Sequence, residues 1–365
     1  MPKSVFHLRL LIITTLCVSF LMTSRAFAQD MPPIIDFTPS ADNPVFTRGE
    51  GDSWGGECGT IFAPQVIEYG GTFYLFYSGS CARAGRPAAI GFATSPDGIH
   101  WESYEANPVL EPDGEGYDAM CASMGVPIVD DDQWIMYYAG NSTPCAGPGQ
   151  HIGRAVADAP AGPWQREPAP VLNAGERGDW DEGFIMPHAI ISTEQGYVMY
   201  YSGGSEFLLP LPRLIGLATS TDGITWTKYD DPATTDAPFA HSDPIVERLA
   251  DGTSKPLSAW AVDVGRTEQG WEMFFADSCP NDANCPAFIG YATSEDGIHW
   301  NMLRALESAA LTRQQVDQPW ASYCICQPAF VKTDADYRLY FTGCTDELND
   351  CQIGMALGTI VREQP

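Results

Sequence analysis

The sequence predicts an all-β fold, a five-bladed β-propeller with four-stranded blades in which a strand from the N-terminal region closes the last blade. Three observations lead to this prediction. An aromatic strand pattern occurs five times, a strand with an Ile-Gly pair follows each copy, and a turn phrase follows three of the Ile-Gly strands. Such self-similarity indicates repeated structural units. No segment has a sustained 3.6-residue apolar period, so we expect little helix.

The aromatic strand follows a turn-forming cluster and ends at small residues, as β-strands do. Its five copies are TFYLFYSG (72–79), QWIMYYAG (133–140), GYVMYYSG (196–203), GWEMFFAD (270–277) and YRLYFTG (337–343). The Tyr or Phe near the end of each copy recurs at intervals of 61 to 74 residues. That spacing is enough for one four-stranded blade with its loops, and five such sheets arranged radially form a propeller.

Two further strands flank each aromatic strand. The Ile-Gly strands begin near Ile90, Ile152, Ile215, Ile289 and Ile353. The preceding strands, usually opened by proline, are APQVIEYG (63–70), VPIVDD (126–131), MPHAII (186–191), AWAVDVG (259–265) and QPAFV (327–331). A fourth strand is expected to run into NPVL (107–110), APVL (169–172) or DPIV (243–246). The similar NPVF (43–46) has no blade in front of it, so we expect it to close the fifth blade and remove its open edge.

The turn phrase is the most regular part of the repeat. Its copies are IGFATSPDGIHW (90–101), IGLATSTDGITW (215–226) and IGYATSEDGIHW (289–300). Asp97 and Gly98 are expected to form a tight turn, with Ser95 and Asp97 bonded to turn amides and Trp101 packed along the blade. A catalytic role for the three turn aspartates is the alternative. Each would lie at the outer edge of its own blade, whereas acid–base catalysis needs converging groups, so we interpret the phrase as structural.

The first 28 residues have the pattern of a secretory signal peptide. Lys3 and Arg9 precede the apolar run LLIITTLCVSFLM (10–22), and AFA (26–28) matches a small-x-small cleavage site. A retained membrane anchor is the alternative. We expect residues 29–365 to form a single propeller domain that is secreted or periplasmic, monomeric and free of the membrane after cleavage.

The net charge limits the kinds of molecule that the protein could bind, and the cysteine content indicates the compartment in which it folds. A formal net charge of −28 repels nucleic acid, anionic membranes and phosphorylated substrates and suits neutral ligands, although colloidal stability would explain it equally. Cys17 lies in the signal segment, which leaves ten of the 11 cysteines and predicts disulfides.

Two cysteine pairs look like short loops closed at their bases, CPNDANC (279–285) and CTDELNDC (344–351). The sequence does not pair the other six, Cys58, Cys81, Cys121, Cys145, Cys324 and Cys326. A zinc site at Cys324 and Cys326 is the alternative to disulfides there, but their spacing is poor for tetrahedral thiolate ligation, so no metal site is predicted.

The repeated pattern W-D…P-x-V/I…G-x-Y-x-M-Y-Y-S-G…I-G-x-A-T-S-x-D-G-I-x-W…P-V-L resembles that of the five-bladed β-propeller glycoside hydrolases, the superfamily of families 32, 43, 62, 68, 117 and 130. The resemblance covers all five units. It implies a substrate site over the mouth of the central funnel, where the innermost strands begin, and in some relatives a calcium ion in the channel.

The catalytic acids that the resemblance implies are absent. Family 43 would place an acid before the prolines of the first three blades, where this sequence has Ala63, Val126 and Ile185-Met186. The family 32 elements NDPNG, RDP and EC are also missing. Only His188 matches a neighbour of the family 43 Glu, so the standard catalytic residues of either family do not carry over to this chain.

A different set of acids precedes the inner strands and is expected to reach the funnel. Glycoside hydrolysis requires two carboxylates, about 5 Å apart for retention or about 6.5–9.5 Å for inversion, one with a raised pKa. We predict Glu182 as the general acid and Glu57 and Asp118 as base or modulator, with Asp181 and Asp263 in substrate binding. For Asp118 and Asp181 the alternative is that they cap turns after their aromatic neighbours.

Aromatic residues and a histidine complete the predicted binding site. Trp54, Trp180 and Trp320 occupy one repeated position, which Tyr117 fills in another unit. Aromatic faces stack on sugar rings, but packing between blades uses the same residues, and the recurrence favours packing. His188 lies early in an inner strand, where it either lines the funnel or is a buried, hydrogen-bonded histidine.

The sequence leads to two functional hypotheses. The preferred one is an exported, glycoside hydrolase-like enzyme that acts on neutral glycans with a non-standard carboxylate pair. The other is a non-catalytic carbohydrate-binding propeller that retained the scaffold. No cofactor is expected beyond the calcium ion that the resemblance allows.

Overall fold

Each aromatic strand of the repeat lies second in an antiparallel sheet, between its preceding strand and its Ile-Gly strand. The computed structural model describes residues 34–49, 59–81, 86–145, 148–205, 213–277, 288–304, 308–334, 336–345 and 350–361. The predicted signal peptide lies outside these residues. The fold is all-β with a β-propeller arrangement.

The strands form five sheets. Strand β1 (Ile34–Pro39) pairs late in the fold, and the first sheet contains β2 (Thr60–Tyr69), β3 (Thr72–Cys81), β4 (Arg86–Ser95) and β5 (Glu102–Ser103). The second contains β6 (Cys121–Asp130), β7 (Gln133–Asn141), β8 (His151–Ala157) and β9 (Gln165–Arg166). The third contains β10 (Phe184–Thr193), β11 (Gly196–Gly204), β12 (Leu214–Ser220) and β13 (Thr227–Lys228).

The fourth sheet is larger than the others. It contains β14 (Val246–Arg248), β15 (Ser254–Pro256), β16 (Ala261–Thr267), β17 (Gly270–Ala276), β18 (Phe288–Ser294), β19 (His299–Leu303) and β20 (Leu311–Thr312). Its β14–β15 hairpin pairs in parallel with β19, and this insertion lies within the longest interval of the sequence repeat. The fifth sheet contains β21 (Cys324–Lys332), β22 (Tyr337–Cys344), β23 (Cys351–Val361) and β1.

The N-terminal segment completes the sheet that contains the C-terminal strand. β1 pairs antiparallel with β23 from Ile35 opposite Ile360 to Pro39 opposite Ala356. The sequence assigned this pairing to residues 43–46 and missed β1. In that stretch Phe46 forms a single bridge with Ile353, which corresponds to the bridge between Leu110 and Ile90 in the first sheet.

Helical structure is short in the described part of the chain. It consists of α1 (Arg313–Val316) and two 3₁₀ turns, Gly116–Asp118 and Pro319–Ala321. No helix of the described residues has the length and apolar character needed to cross a membrane.

Apolar side chains of successive sheets pack against each other and form the core. Phe76 and Ile90 of the first sheet lie in one cluster with Met136 and Tyr138 of the second. Further clusters join the second sheet to the third, the third to the fourth and the fourth to the fifth. Another joins the fifth sheet to the first, where Tyr340 packs with the side chains of β2 and β3. Burial of this surface stabilises the fold by about 25 cal/mol per Å² of apolar area.

The repeated turn phrase is structural, as predicted, and it also links sheets. Ser95 Oγ accepts a hydrogen bond from the Gly98 amide at 2.8 Å, and Asp97 Oδ1 accepts from the Ile99 amide at 2.9 Å. The Gly98 carbonyl in turn accepts a hydrogen bond at 2.8 Å from Tyr340 Oη of the fifth sheet. Tyr137 donates to Gly223, and Tyr200 to Gly297, in the same way. The phrase therefore recurs because each copy receives a tyrosine from a neighbouring sheet.

The glycine of the Ile-Gly pair makes room for an aromatic ring. A Cβ added at Gly216 would lie 2.3 Å from Cζ of Tyr201, and one at Gly290 would lie 2.2 Å from Cζ of Phe275. Both distances are far below van der Waals contact. The end of each aromatic strand is thus packed directly on the backbone of the next strand, which explains why this glycine repeats.

Candidate functional site

The inner strands of all five sheets surround a small axial cavity. It is lined by short apolar side chains, prolines, two glutamines and one histidine, namely Ala63, Pro64, Gln65, Met124, Val126, Pro187, His188, Ala261, Gln327 and Pro328. The enclosed space is enough for about one water molecule. A sugar ring is far larger, so a carbohydrate can only lie over the mouth of this cavity.

A β-bulge shapes the cavity wall in four of the five inner strands. The register of β2 against β3 shifts between Phe62 and Gln65, and equivalent shifts occur in β6, β10 and β21. Ala63, Met124 and Gln327 have positive φ angles of 52°, 55° and 50° at these bulges. Bulges redirect side chains, and here they bring these three residues to the cavity wall.

The cavity wall does not suit a calcium ion. Ca²⁺ takes six to eight oxygen ligands, including carboxylates, and the lining residues contribute no carboxylate. Gln327 Oε1 already accepts hydrogen bonds from the Ala63 amide and from Thr342 Oγ1. The residues of this cavity therefore do not fit the calcium that the family resemblance allowed.

Asp118 and Asp181 occupy equivalent positions, and each is bound to a cation from the fourth strand of its own sheet. Asp118 Oδ2 lies 3.0 Å from Arg166 Nε, and Asp181 Oδ2 lies 2.6 Å from Lys228 Nζ. Both carboxylates also accept a hydrogen bond from a tyrosine of the aromatic strand. Asp118 is 2% exposed and Asp181 is 0% exposed. These contacts join both carboxylates to residues of their own sheets and differ from the turn capping that was the alternative prediction.

Burial and ionic contacts act in opposite directions on Asp181. Burial raises the pKa of its carboxyl group, and Lys228 and Tyr201 lower it. Its Oδ1 atom is buried and has no hydrogen-bond partner among the described residues. The effect of burial is the larger one, so the pKa of Asp181 is raised, while its Oδ2 atom is held by Lys228.

Glu182 differs from these two aspartates because its partners are neutral. It is half-buried just before β10, and its carboxylate accepts hydrogen bonds from the Gly178 amide and from Ser205 Oγ. No cation lies within ion-pair distance of it among the described residues. The predicted partner Glu57 lies outside the described residues, as does Trp54.

Asp263 and His188 are both buried close to the centre of the molecule. Asp263 accepts hydrogen bonds from its neighbour's amide at Val264 and, at 2.7 Å, from the Phe330 amide of β21. Burial raises the pKa of Asp263 to about 7. Burial, assisted by the charge of Arg213, lowers the pKa of His188 to about 3, so this imidazole is neutral at physiological pH. His188 Nε2 has no hydrogen-bond partner in the described structure.

The repeated tryptophans pack inside the sheets. Trp180 is 1% exposed and stacks on Tyr201 at a centroid distance of 5.8 Å. Trp320 is 8% exposed and stacks on Phe341 at 5.9 Å. Tyr117 stacks on Tyr138 in the same way. With their faces covered, Trp180 and Trp320 have no surface on which a sugar ring could stack, which corrects their assignment to substrate binding.

Two disulfides are present in the described residues. Cys121 is bonded to Cys145, and Cys344 to Cys351, which confirms the second of the two predicted short loops. The predicted Cys279–Cys285 loop lies outside the described residues. Cys324 and Cys326 are buried free thiols whose sulfur atoms lie 3.6 Å apart. The third sulfur near them belongs to Cys344 and is already in a disulfide, so these atoms do not provide three thiolates for a metal ion.

The structure brings together three residues that the sequence analysis did not select. Arg213 directly precedes β12, and its guanidinium Cζ lies 3.8 Å from the ring centroid of Trp260 and 5.1 Å from that of Phe184. Trp260 directly precedes the inner strand β16, and Phe184 is the first residue of the inner strand β10. The only available signal was that Arg213 follows a non-repeating insertion in a chain with few basic residues.

The comparisons with known proteins agree with this fold. The family model for the glycosyl hydrolases family 32 N-terminal domain matches residues 64–241. An uncharacterised protein of Mycobacterium tuberculosis (strain CDC 1551 / Oshkosh) is 25% identical over 245 residues, which are 64% of this chain and 73% of that protein.

Two solved structures are similar over most of their length. One is described as a glycoside hydrolase and has a TM-score of 0.66 at 14% identity, covering 88% of this chain and 92% of its own. The other is a family 117 glycoside hydrolase of Zobellia galactanivorans, with a TM-score of 0.58 at 16% identity, covering 91% and 92%. At these identities the similarity shows the fold.

Proposed function

We propose that this chain, which matches a glycosyl hydrolase family model over residues 64–241 and has the fold of solved glycoside hydrolases, is an exported, monomeric carbohydrate-binding protein that does not hydrolyse its ligand. In this proposal the five sheets are the blades of one propeller, and the glycan lies over the mouth of the axial cavity. A net charge of −28 disfavours polyanions, nucleic acid and anionic membranes, so the bulk of the glycan is neutral.

The composition of the axial cavity carries the proposal. Ala63 and Val126 line it, and Ile185 is fully buried beside it, at the three positions where family 43 enzymes carry their acids. Hydrolysis of a glycosidic bond requires one carboxyl group that donates a proton and a second that acts as base or nucleophile. Apolar side chains at these positions support retention of the scaffold without that chemistry.

The engagement of the remaining acids supports the same conclusion. Asp118 and Asp181 are bound to Arg166 and Lys228. Asp263 accepts hydrogen bonds from two backbone amides and is not among the residues that line the cavity. The carboxylates of Asp118 and Asp181 are therefore occupied by contacts inside their own sheets.

A glycan panel tests this proposal. The mature chain and its Glu182→Gln variant are assayed for binding by calorimetry and for product release by chromatography. We expect saturable binding of at least one oligosaccharide and no products with either protein. Asp296→Asn, in an outer turn, is the control that should bind as the wild type does. Absence of binding to every glycan of the panel contradicts the proposal.

A glycosidase is the second candidate, and the contacts of Glu182 favour it. Among the described acids of the predicted site, Glu182 is the half-buried one whose hydrogen-bond donors are all neutral, so no described cation occupies its carboxylate. Glu57 would supply the second carboxylate. Product release by the wild type that is lost in Glu182→Gln would establish this candidate in place of the first.

A further inference from the structure

Arg213 is a half-buried cation with no acidic partner in the described part of the chain. No described Asp or Glu lies within 4 Å of its guanidinium group. Several other sheltered basic groups are paired with acids: Lys228 with Asp181, Arg154 with Glu167, and Arg304 with Glu247. Arg313, which is half-buried, instead donates hydrogen bonds to the carbonyls of Ser322 and Tyr323. The chain has 47 acidic and 19 basic residues, so a shortage of carboxylates does not explain why Arg213 is unpaired.

A sheltered charge without a counter-ion is energetically unfavourable. Removing one partner of a buried ion pair costs about 3–5 kcal/mol, because the remaining charge has lost its hydration. Burial lowers the pKa of Arg213 to about 10, which still leaves it fully protonated at neutral pH. Among the described residues, the contacts that compensate its charge are the two aromatic rings, and a cation–π contact is weaker than an ion pair with a carboxylate. The site therefore has a strong remaining preference for an anion.

Arg213 lies beside the beginnings of the inner strands β10 and β16. Its carbonyl accepts a hydrogen bond from the Ala259 amide, which fixes it beside the start of β16. Phe184, under its guanidinium, begins β10 and packs in one cluster with Met186 and the cavity-lining residues Ala63 and Met124. The charge of Arg213 also reaches His188 in the cavity wall, whose pKa it lowers.

The aromatic rings leave the donors of Arg213 in a defined orientation. Trp260 and Phe184 are both half-buried, so each keeps some exposed surface beside its contact with the guanidinium. A planar guanidinium that stacks on an indole keeps its N–H groups in the plane of the fork, where they match the two oxygens of a carboxylate. Exposed indole surface next to such a fork is suited to the apolar face of a sugar ring.

We propose that Arg213, Trp260 and Phe184 form a subsite for an acidic sugar, in which the guanidinium binds the carboxylate of a uronic acid residue. This proposal rests on the carbohydrate binding proposed above and specifies one residue of the ligand. The glycan as a whole has few charges, because the acidic protein repels polyanions at long range, while the carboxylate at Arg213 is bound at short range. The subsite selects for a single acidic sugar in an otherwise neutral glycan.

Matched pairs of oligosaccharides test the proposal. The probes are neutral oligosaccharides that end in glucose or galactose and the same oligosaccharides that end in glucuronate or galacturonate. A charge-assisted hydrogen bond contributes about 1.5–3 kcal/mol, so we expect the acidic member of a pair to bind about 10- to 100-fold more tightly. The preference should weaken as the salt concentration rises.

Variants assign the effect to Arg213. Arg213→Met keeps the apolar stem and should abolish the preference, whereas Arg213→Lys keeps the charge and should retain part of it. Arg266→Met is the matched control, since Arg266 lies 4.4 Å from the ring of Trp271 at the other end of β16 and is exposed. Thermal unfolding verifies that each variant is folded, and Arg213→Lys carries the test if Arg213→Met does not fold.

The outcomes separate the two proposals. Equal affinity for acidic and neutral members, or a preference that persists in Arg213→Met, overturns the acidic-sugar subsite while carbohydrate binding stands. Failure of the wild type to bind any member of any pair overturns both.

Discussion

The carboxylate of Asp181 lies 2.6 Å from the ammonium group of Lys228, and the same relationship joins Asp118 to Arg166 at 3.0 Å in the preceding sheet. In both cases an acid that precedes the inner strand contacts a base from the short fourth strand. The pair therefore connects the two edges of one sheet. One of these acids, Asp118, was predicted to be catalytic and the other, Asp181, to bind substrate, and each is in contact with a base of its own sheet.

Breaking the Asp181–Lys228 pair should destabilise the protein strongly. Lys228→Met leaves the fully buried Asp181 charge without a counter-ion, and we expect the free energy of unfolding to fall by about 3 kcal/mol. Urea denaturation measures it. Lys255→Met is the control, because Lys255 is half-exposed at 3.4 Å from Glu247, which keeps its contact with Arg304. Its loss should stay below about 1 kcal/mol. Equal losses in the two variants would contradict the structural role.

The Ile-Gly glycine should not tolerate a methyl group. Gly216→Ala places Cβ against the buried ring of Tyr201, and we expect a loss of about 2–3 kcal/mol in the free energy of unfolding. In a Tyr201→Leu background the same substitution should cost much less, since the obstacle is gone. Gly70→Ala, at a φ of +60° with open space around it, should cost about 1 kcal/mol from backbone strain alone. A penalty at Gly216 that is independent of Tyr201 would rule out this packing explanation.

Asp263 should make the protein less stable as the pH rises. Its pKa is about 7 in the folded state and about 3.9 in an unfolded chain, so the folded state binds more protons between these values. Stability that protonated Asp263 contributes is complete below pH 4 and is lost as the pH rises to about 7. Asp263→Asn should remove this slope. Chemical denaturation between pH 4 and pH 8 measures it, and an unchanged slope in the variant would refute the assignment.

His188 should act in the opposite direction over part of the same range. Its pKa is about 3 in the folded state and about 6.5 in an unfolded chain, so the unfolded chain binds the proton more readily. The contribution of neutral His188 is complete above about pH 6.5 and is lost as the pH falls toward 3. His188→Gln should therefore flatten the loss of stability at acidic pH. The same denaturation series checks this, with the difference from wild type as the measured quantity.

The cysteines should divide into two chemical classes. Peptide mapping by mass spectrometry without reduction should recover Cys121 linked to Cys145 and Cys344 linked to Cys351. Cys324 and Cys326 are buried, so alkylation should reach them only after the protein is unfolded. Recovery of Cys324 linked to Cys344 or Cys351, or alkylation of Cys324 in the native protein, would contradict this arrangement.

Most of the fold could be predicted from the sequence because the same short strand and turn patterns occur several times, and each copy supports the interpretation of the others. The aromatic strands, the Ile-Gly strands and the Asp-Gly turns are each short, and five or three aligned copies identify them where one copy would not. The closing pairing of the N-terminal segment was also predicted, but its main strand, β1, was missed. Ile34–Pro39 has no repeated neighbour in the chain, and its pairing depends on the exposed edge of β23.

The site was predictable only in part because the same residue types serve structure and binding. The sequence alone determined the repeat, its turn chemistry and the absence of the family 43 acids at Ala63, Val126 and Ile185. It also indicated that Asp118 and Asp181 had a structural alternative. Local pattern decides such features, since turns and strands depend on neighbours in the chain.

Only the tertiary structure shows which charged side chains have a partner within the protein and which have none among the described residues. Lys228 and Arg166 are far in sequence from the aspartates they neutralise, and Trp260 lies 47 residues from Arg213. A charge is paired or unpaired only with respect to groups that folding brings within a few ångströms, and burial then determines how strongly the pairing matters. That is why the sequence identified the scaffold, whereas only the folded chain shows that Arg213 has no acidic partner among the described residues.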